Sequence, residues 1–191
     1  MSIRAGILAV LCEADAYGLQ IHAELETRTD RVGRINVGQI YSTLDRLTTS
    51  GLVEHAGATD DGLPLYRATA TGRESAAAWL DTVEVSSPTA WPDMTFRLLL
   101  ATSLEGADSE ALVERYRAAW AEAAGGPDGD RVGIGPLDPA ALARRRLAAA
   151  ALGWLDDLQS LPGGLPALRR PLRNERPRRG RRPATAAPTP E

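Results

Sequence analysis

The stretch Asn36–Glu54, NVGQIYSTLDRLTTSGLVE, decides how this chain is read. Asn36 suits the position just before a helix, where a side-chain oxygen accepts from a backbone N–H that the helix leaves free. Val37, Ile40, Tyr41, Leu44 and Leu47 then fall at i, i+3, i+4, i+7 and i+10, one apolar stripe. Gly51 follows where a left-handed residue commonly closes a helix. At about 100° per residue, the side opposite the stripe centres on Gln39, Ser42 and Arg46. Gly38, Thr43, Asp45 and Thr49 flank it. Short side chains let a helix sit deep in a groove about 12 Å wide, where Gln reads adenine, Arg reads guanine, and Ser or Thr takes several partners. Asp45 is the misfit, because it repels phosphate. Any surface helix has polar residues opposite an apolar stripe, so the neighbouring sequence has to decide.

Upstream, Ile3, Ile7, Leu8 and Leu11 share a helical face, and Asp15-Ala16-Tyr17-Gly18 reads as a turn. Tyr17, Ile21 and Leu25 suggest a second helix, and Arg28 to Arg34, with Asp30 and Gly33, a loop. Its cations, Arg28, Arg31 and Arg34, either approach a phosphate backbone or form a solvated loop. Downstream, Leu52–His55 and Pro64–Thr69 flank Asp60-Asp61-Gly62, the pattern of a β-hairpin. Thr71 with Glu74 reads as a capping box opening a fourth helix through Trp79 and Leu80. Three short helices followed by a hairpin is the order of a winged helix-turn-helix.

The same residues carry a resemblance. NVGQIYSTLDRLTTSGLVE, with YGLQI from Tyr17, YRATATGR from Tyr66 and SIRAGILAVL from Ser2, resembles the PadR family of transcriptional regulators. The match spans roughly residues 2–82, and departs from the family where Ala70 stands in place of its usual proline. The resemblance implies a homodimeric repressor with an N-terminal winged helix and a helical C-terminal dimerisation part. On that basis Asn36, Gly38, Gln39, Tyr41, Ser42 and Thr43 match the segment that enters the major groove, and Arg67 with the 59–63 loop matches the wing. Arg46 and Arg34 complete the expected DNA-binding set. Tyr41 has two compatible roles, its ring in the stripe and its hydroxyl at a phosphate.

Beyond the head, Pro92-Asp93 reads as a helix start, and Asp108 as the cap of another helix carrying Leu112, Val113, Tyr116 and Trp120. Gly125–Gly135 interrupts the pattern. Asp138-Pro139 opens a long helix whose stripe is Leu147, Ala151, Trp154, Leu155 and Leu158. So much alanine buries little apolar area, which favours burial against a second copy. Trp91, Trp120 and Trp154 are the candidates for a small-molecule effector pocket, against the commoner role of Trp as core. The fold expected is therefore mainly α. A winged helix-turn-helix (three helices plus a β-hairpin wing) occupies 1–82 and a connector 83–92. A helical dimerisation and effector domain follows at 93–161, then a Pro/Gly/Arg-rich disordered tail at 162–191.

Composition narrows the alternatives. Among 191 residues there are 22 arginines and no lysine against 25 acids, so the net charge is −3. From Arg169 onward there are 8 Arg and 2 acids, while the preceding residues hold 14 Arg and 23 acids. An acidic body excludes a uniformly basic coat on nucleic acid, and leaves room for a small reading head with well-placed arginines. One cysteine, Cys12, and two histidines, His22 and His55, offer no disulfide framework or metal set. Cys12 reads as a small core residue and His22 as exposed. No Ser/His/Asp set or phosphate-binding glycine loop is present, so neither an enzyme nor a cofactor is expected. Arg4 with Ala5–Cys12 is faintly like a lipoprotein signal, but Leu11 stands where a small residue is wanted. The expectation is a cytoplasmic protein with no membrane contact whose partners are duplex DNA, a second copy and a small effector. The alternative is a winged-helix protein–protein adaptor, which Asp45 and the acidic body favour a little.

Overall fold

The structure, a computed structural model, describes residues 2–32, 34–125 and 139–173. In chain order it forms α1 Ile3–Leu11, α2 Gly18–Arg28, α3 Val37–Thr49, β1 Val53–Ala58, β2 Pro64–Ala68 and α4 Ala70–Asp81. Then come α5 Ala90–Ser103, α6 Ser109–Ala123, α7 Pro139–Gln159 and a single 3-10 turn at Leu165–Leu168. β1 and β2 pair antiparallel, Val53 opposite Ala68 and His55 opposite Tyr66, with an irregularity between His55 and Ala58. The mainly helical chain with one hairpin is the winged-helix architecture that the residue order implies.

Two hydrophobic cores organise the molecule. Ile7, Leu8 and Leu11 of α1, Ile21 and Leu25 of α2, and Ile40, Leu44 and Leu47 of α3 pack with Phe96 and Leu100 of α5. Met94 and Leu98, on the other side of α5, pack with Leu112, Tyr116 and Trp120 of α6 and Ala148, Ala151 and Leu155 of α7. Each large side chain so buried stabilises the fold by about 1.5–3 kcal/mol. Because α5 contributes to both cores, it joins the head to the helical part.

Helix starts are set by short polar side chains. Ser2 accepts from Ala5 N, Asn36 from Gly38 N and Asp108 from Ala111 N, the last two as the sequence implies. The cap of α4 differs from the expectation. Thr69, not Thr71, is the N-cap, because its hydroxyl both accepts from Gly72 N at 3.1 Å and donates to Gly51 O at 2.8 Å. That second bond ties the start of α4 to the end of α3, which no local pattern encodes. α5 likewise begins at Ala90, ahead of Pro92, whose missing N–H lies in the first turn where none is needed.

Burial revises several sequence expectations. On α3 the buried residues are Ile40, Thr43, Leu44 and Leu47, while Val37 is half-buried and Tyr41 is 40% exposed. The Tyr41 ring lies over Gly18 instead, so close that a Cβ there would sit 2.6 Å from it. On α7 the buried set is Ala148, Ala151, Leu155 and Leu158, and Leu147 is 41% exposed. The small alanines face α6, which turns Leu147 outward. Cys12 is exposed at the end of α1, not in the core. His22 is half-buried, its Nε2 bonded to Ile35 O at 2.7 Å.

The largest departure is the start of the tail. Residues 162–173 are not free: Leu172 packs against the first core and Arg170 N donates to Ser103 O at 2.9 Å. Arg173 Nε pairs with Glu24 at 2.9 Å, and its Nη2 donates to Thr27 Oγ1. This strap crosses α2 through partners far away in sequence, which periodicity cannot see. The remainder of the tail, 174–191, and the glycine-rich stretch 126–138 lie outside the described residues. No helix among the described residues is long and apolar enough to cross a membrane.

Candidate nucleic-acid interface

The exposed side of α3 carries Gly38, Gln39, Tyr41, Ser42, Asp45, Arg46 and Thr49. Asn36, also exposed, holds the helix N-terminus through its 2.8 Å bond to Gly38 N. Arg46 bends back along its own helix, Nε donating to Ser42 O at 3.0 Å, so Ser42 and Arg46 form one polar unit. Thr43 is buried and reaches the surface only at the floor of a groove. That groove, about 630 Å³, runs between the start of α1 and α3 and is lined by Gln39, Thr43, Arg46 and Ser50 on one side. Its other wall is Ser2, Ile3 and Arg4. Arg4 is a cation that sequence reading missed, because only the packed fold brings the first helix beside the third.

The turn before α3 is built by α2. His22 accepts or donates at Ile35 O, and Glu26 accepts from Ile35 N at 3.1 Å. Arg34 is exposed there. The three arginines of this region separate. Arg31 is exposed and pairs with Glu26 at 3.1 Å. Arg28 is only 5% exposed and belongs to the interior. Its Nε pairs with Glu24 and its Nη2 with Glu13, each at 2.7 Å, while Nη1 donates to Ser103 O at 2.9 Å. It cannot reach a phosphate.

The wing is poorly suited to an anion. Asp60 and Asp61 stand at its tip, and Thr59 closes the loop by bonding Asp61 Oδ1 and Leu63 N. Arg67 is engaged on both branches by Asp15, Nε donating to Oδ1 at 2.8 Å. The Arg67 hydrogen bond holds the Asp15 carboxyl below its usual range. Burial, with Tyr41 and Asp45 nearby, pushes the Tyr66 phenol up, so it stays a neutral donor.

Residues 7–78 match the model of the transcriptional regulator PadR-like family. They are a PadR-like domain. No curated protein sequence matches the chain. Among solved structures, PadR of Bacillus subtilis in complex with operator DNA is 16% identical, with a TM-score of 0.41 over 81% of this chain and 94% of that one. A Streptococcus mutans protein is 20% identical, with a TM-score of 0.40 over 82% and 98%. The PadR-like transcriptional regulator of Bacillus cereus is 17% identical, with a TM-score of 0.38 over 81% and 91%. No residue role follows from likenesses at that level.

The tryptophans expected to frame an effector pocket divide between two settings outside the PadR-like domain. Trp120 is buried in the second core, its indole N–H donating to Met94 sulfur at 3.0 Å. Trp91 and Trp154 pair with ring centroids 5.7 Å apart, both half-buried at the edge of that core. Among the described residues no cluster of three or more His, Cys, Asp or Glu is placed to hold a metal ion.

Proposed function

We propose that this chain is a homodimeric transcriptional repressor that reads an inverted repeat in duplex DNA and is released by a small molecule. The observation that carries the reading is α3 itself: a capped helix whose exposed side presents Gln39, Ser42 and Arg46, all of them short or folded back. Arg4 and Arg34 flank this side as phosphate contacts, so placement supplies what bulk charge does not. A second copy has a place to pack, since α7 leaves Leu142 45% and Leu147 41% exposed. A two-fold dimer would set two heads on two half-sites of a palindrome. A ligand relieves repression only by favouring the dimer that cannot bind DNA.

The test is a gel shift and footprint on the region upstream of the gene itself. A protected inverted repeat is expected, weakening as salt rises. Gln39→Ala should lose about 1–3 kcal/mol of discrimination at one base position in each half-site. Unchanged base preference in that variant would show that another face reads the DNA. The acidic wing tip, with Arg67 neutralised by Asp15, favours a second reading as a protein-binding adaptor. Failure to shift any such fragment, with a stable protein partner retained, would select it.

A further inference from the structure

Arg97 is 8% exposed, yet its Nε and Nη1 have no hydrogen-bond partner among the described residues. Its guanidinium carbon lies 4.8 Å from the centroid of the Trp79 ring and 6.0 Å from that of Tyr116. The Tyr116 hydroxyl also lies within its reach, a neutral partner. Aromatic faces attract a cation, but offset only part of what it costs to take a guanidinium out of water. A buried cation is normally matched by an anion.

The side chain opens on a cleft of about 180 Å³ lined by Ser2, Trp79, Asp93 and Arg97. Asp93 is the one acid there, one helical turn before Arg97, with its Oδ2 accepting from the Thr89 hydroxyl at 2.7 Å. We infer that this cleft is a binding site for a small organic monoanion, a carboxylate with an apolar body, and that Arg97 is its recognition group. The two open N–H donors receive the carboxylate, as guanidinium donors commonly do. Trp79 supplies an apolar wall for the body. Asp93 at the rim repels a second negative charge, which selects a monoanion over a phosphate ester.

The site lies where four segments meet: the N-cap of α1 at Ser2, α4 at Trp79, α5 at Arg97 and α6 at Tyr116. Ser2 also lines the groove beside Gln39 and Arg46. A ligand held by Arg97 therefore touches the helix end that borders the reading face. That regulatory consequence rests on the repressor reading, whereas the binding itself does not, so binding is measured without DNA.

The probe is sodium benzoate, with benzamide as its neutral isostere and sodium chloride at matched ionic strength. Thermal melting and calorimetry are run on the full chain. Benzoate at about tenfold over its Kd should raise Tm by about 3–6 °C. Benzamide and chloride should not. Arg97→Met should abolish the benzoate response without lowering the unliganded Tm, because it removes a charge that has no partner. Asp93→Asn should bind benzoate about two- to fivefold more tightly. If Arg97→Met does not fold, the benzamide and Asp93→Asn arms decide. Equal shifts from benzoate and benzamide would overturn the assignment. So would a benzoate shift that survives in Arg97→Met, or no response in either the wild type or Asp93→Asn. A destabilised Arg97→Met, with no benzoate response in the wild type, would make Arg97 a structural cation. Loss of operator binding with benzoate binding intact would refute the repressor reading and leave the site standing.

Discussion

Replacing Arg28 by Met tests how the head is held to the rest of the molecule. Methionine keeps most of the length and apolar contact of the stem and removes the charge. The guanidinium currently satisfies Glu24 and Glu13 at 2.7 Å, Ser103 O at 2.9 Å and Arg170 O at 3.0 Å. With it gone, Glu24 keeps Arg173, but Glu13 is left half-buried beside Glu105 N alone. Removing one partner of a buried ion pair costs about 3–5 kcal/mol, because the other charge remains in place. For a chain of this size that is a fall in Tm of about 6–20 °C at neutral pH.

The pH dependence gives a second check. Burial pushes Glu24 up, but Arg28 and Arg173 outweigh it and leave its carboxyl below the usual range. Its contribution is present above the ordinary glutamate value and is lost as pH falls through its lowered one. Burial also pushes Glu13 up, and there Arg28 opposes without cancelling it. Its contribution has the opposite sense, present at low pH and lost as pH rises through its raised value. In Arg28→Met both carboxyls shift upward, so the deficit against the wild type should shrink between about pH 7 and pH 5. Melting curves across that window, with Glu13→Gln as the partial rescue, measure it. A fall of less than about 2 °C, the scale of a surface pair, would refute the reasoning, as would a deficit that grows in acid.

Other perturbations separate stability from recognition. A Cβ on Gly72 would lie 2.1 Å from the Leu52 carbonyl oxygen, backbone against backbone. Gly72→Ala should therefore cost at least about 3 kcal/mol, and an unchanged melting curve would contradict that contact. Gly18→Ala meets only the Tyr41 ring, which can swing into solvent, so Tm should move by less than about 2 °C while operator affinity falls about tenfold. Unaltered affinity would place Tyr41 away from the DNA. Asp15 sits below its usual range through Arg67, so its small contribution is present above the ordinary aspartate value and fades as pH drops through the lowered one. Asp15→Asn should make that fade disappear and free Arg67, steepening the salt dependence of DNA binding by about one unit of slope.

The head was legible because its signals are local. Asn36 names the helix start, the stripe through Ile40, Leu44 and Leu47 names the buried side, and Asp60-Asp61-Gly62 names the hairpin. What escaped depends on partners distant in the chain. Thr69 rather than Thr71 caps α4 because Gly51 O lies beside it, 18 residues away in sequence. Arg28 reads as a loop cation until the fold supplies Glu13 and Ser103. Arg4 reads as the start of a helix until α1 is laid along α3. The tail reads as disordered because Leu172 and Arg173 have no periodicity, and their order comes from α2. The α7 stripe was displaced because alanine at Ala148 and Ala151 packs where leucine was expected.

The strap also imposes an order on biosynthesis. The head is made first, and its helices and hairpin can collapse while the rest of the chain is still being translated. Yet Glu24 and Arg28 do not acquire their full set of partners until Ser103, Arg170 and Arg173 have been added. The nascent head therefore carries a half-matched ion cluster through most of translation. It becomes fully consolidated only when the last ordered turn of the chain arrives, so a prematurely terminated product would be marked by a loosened second helix.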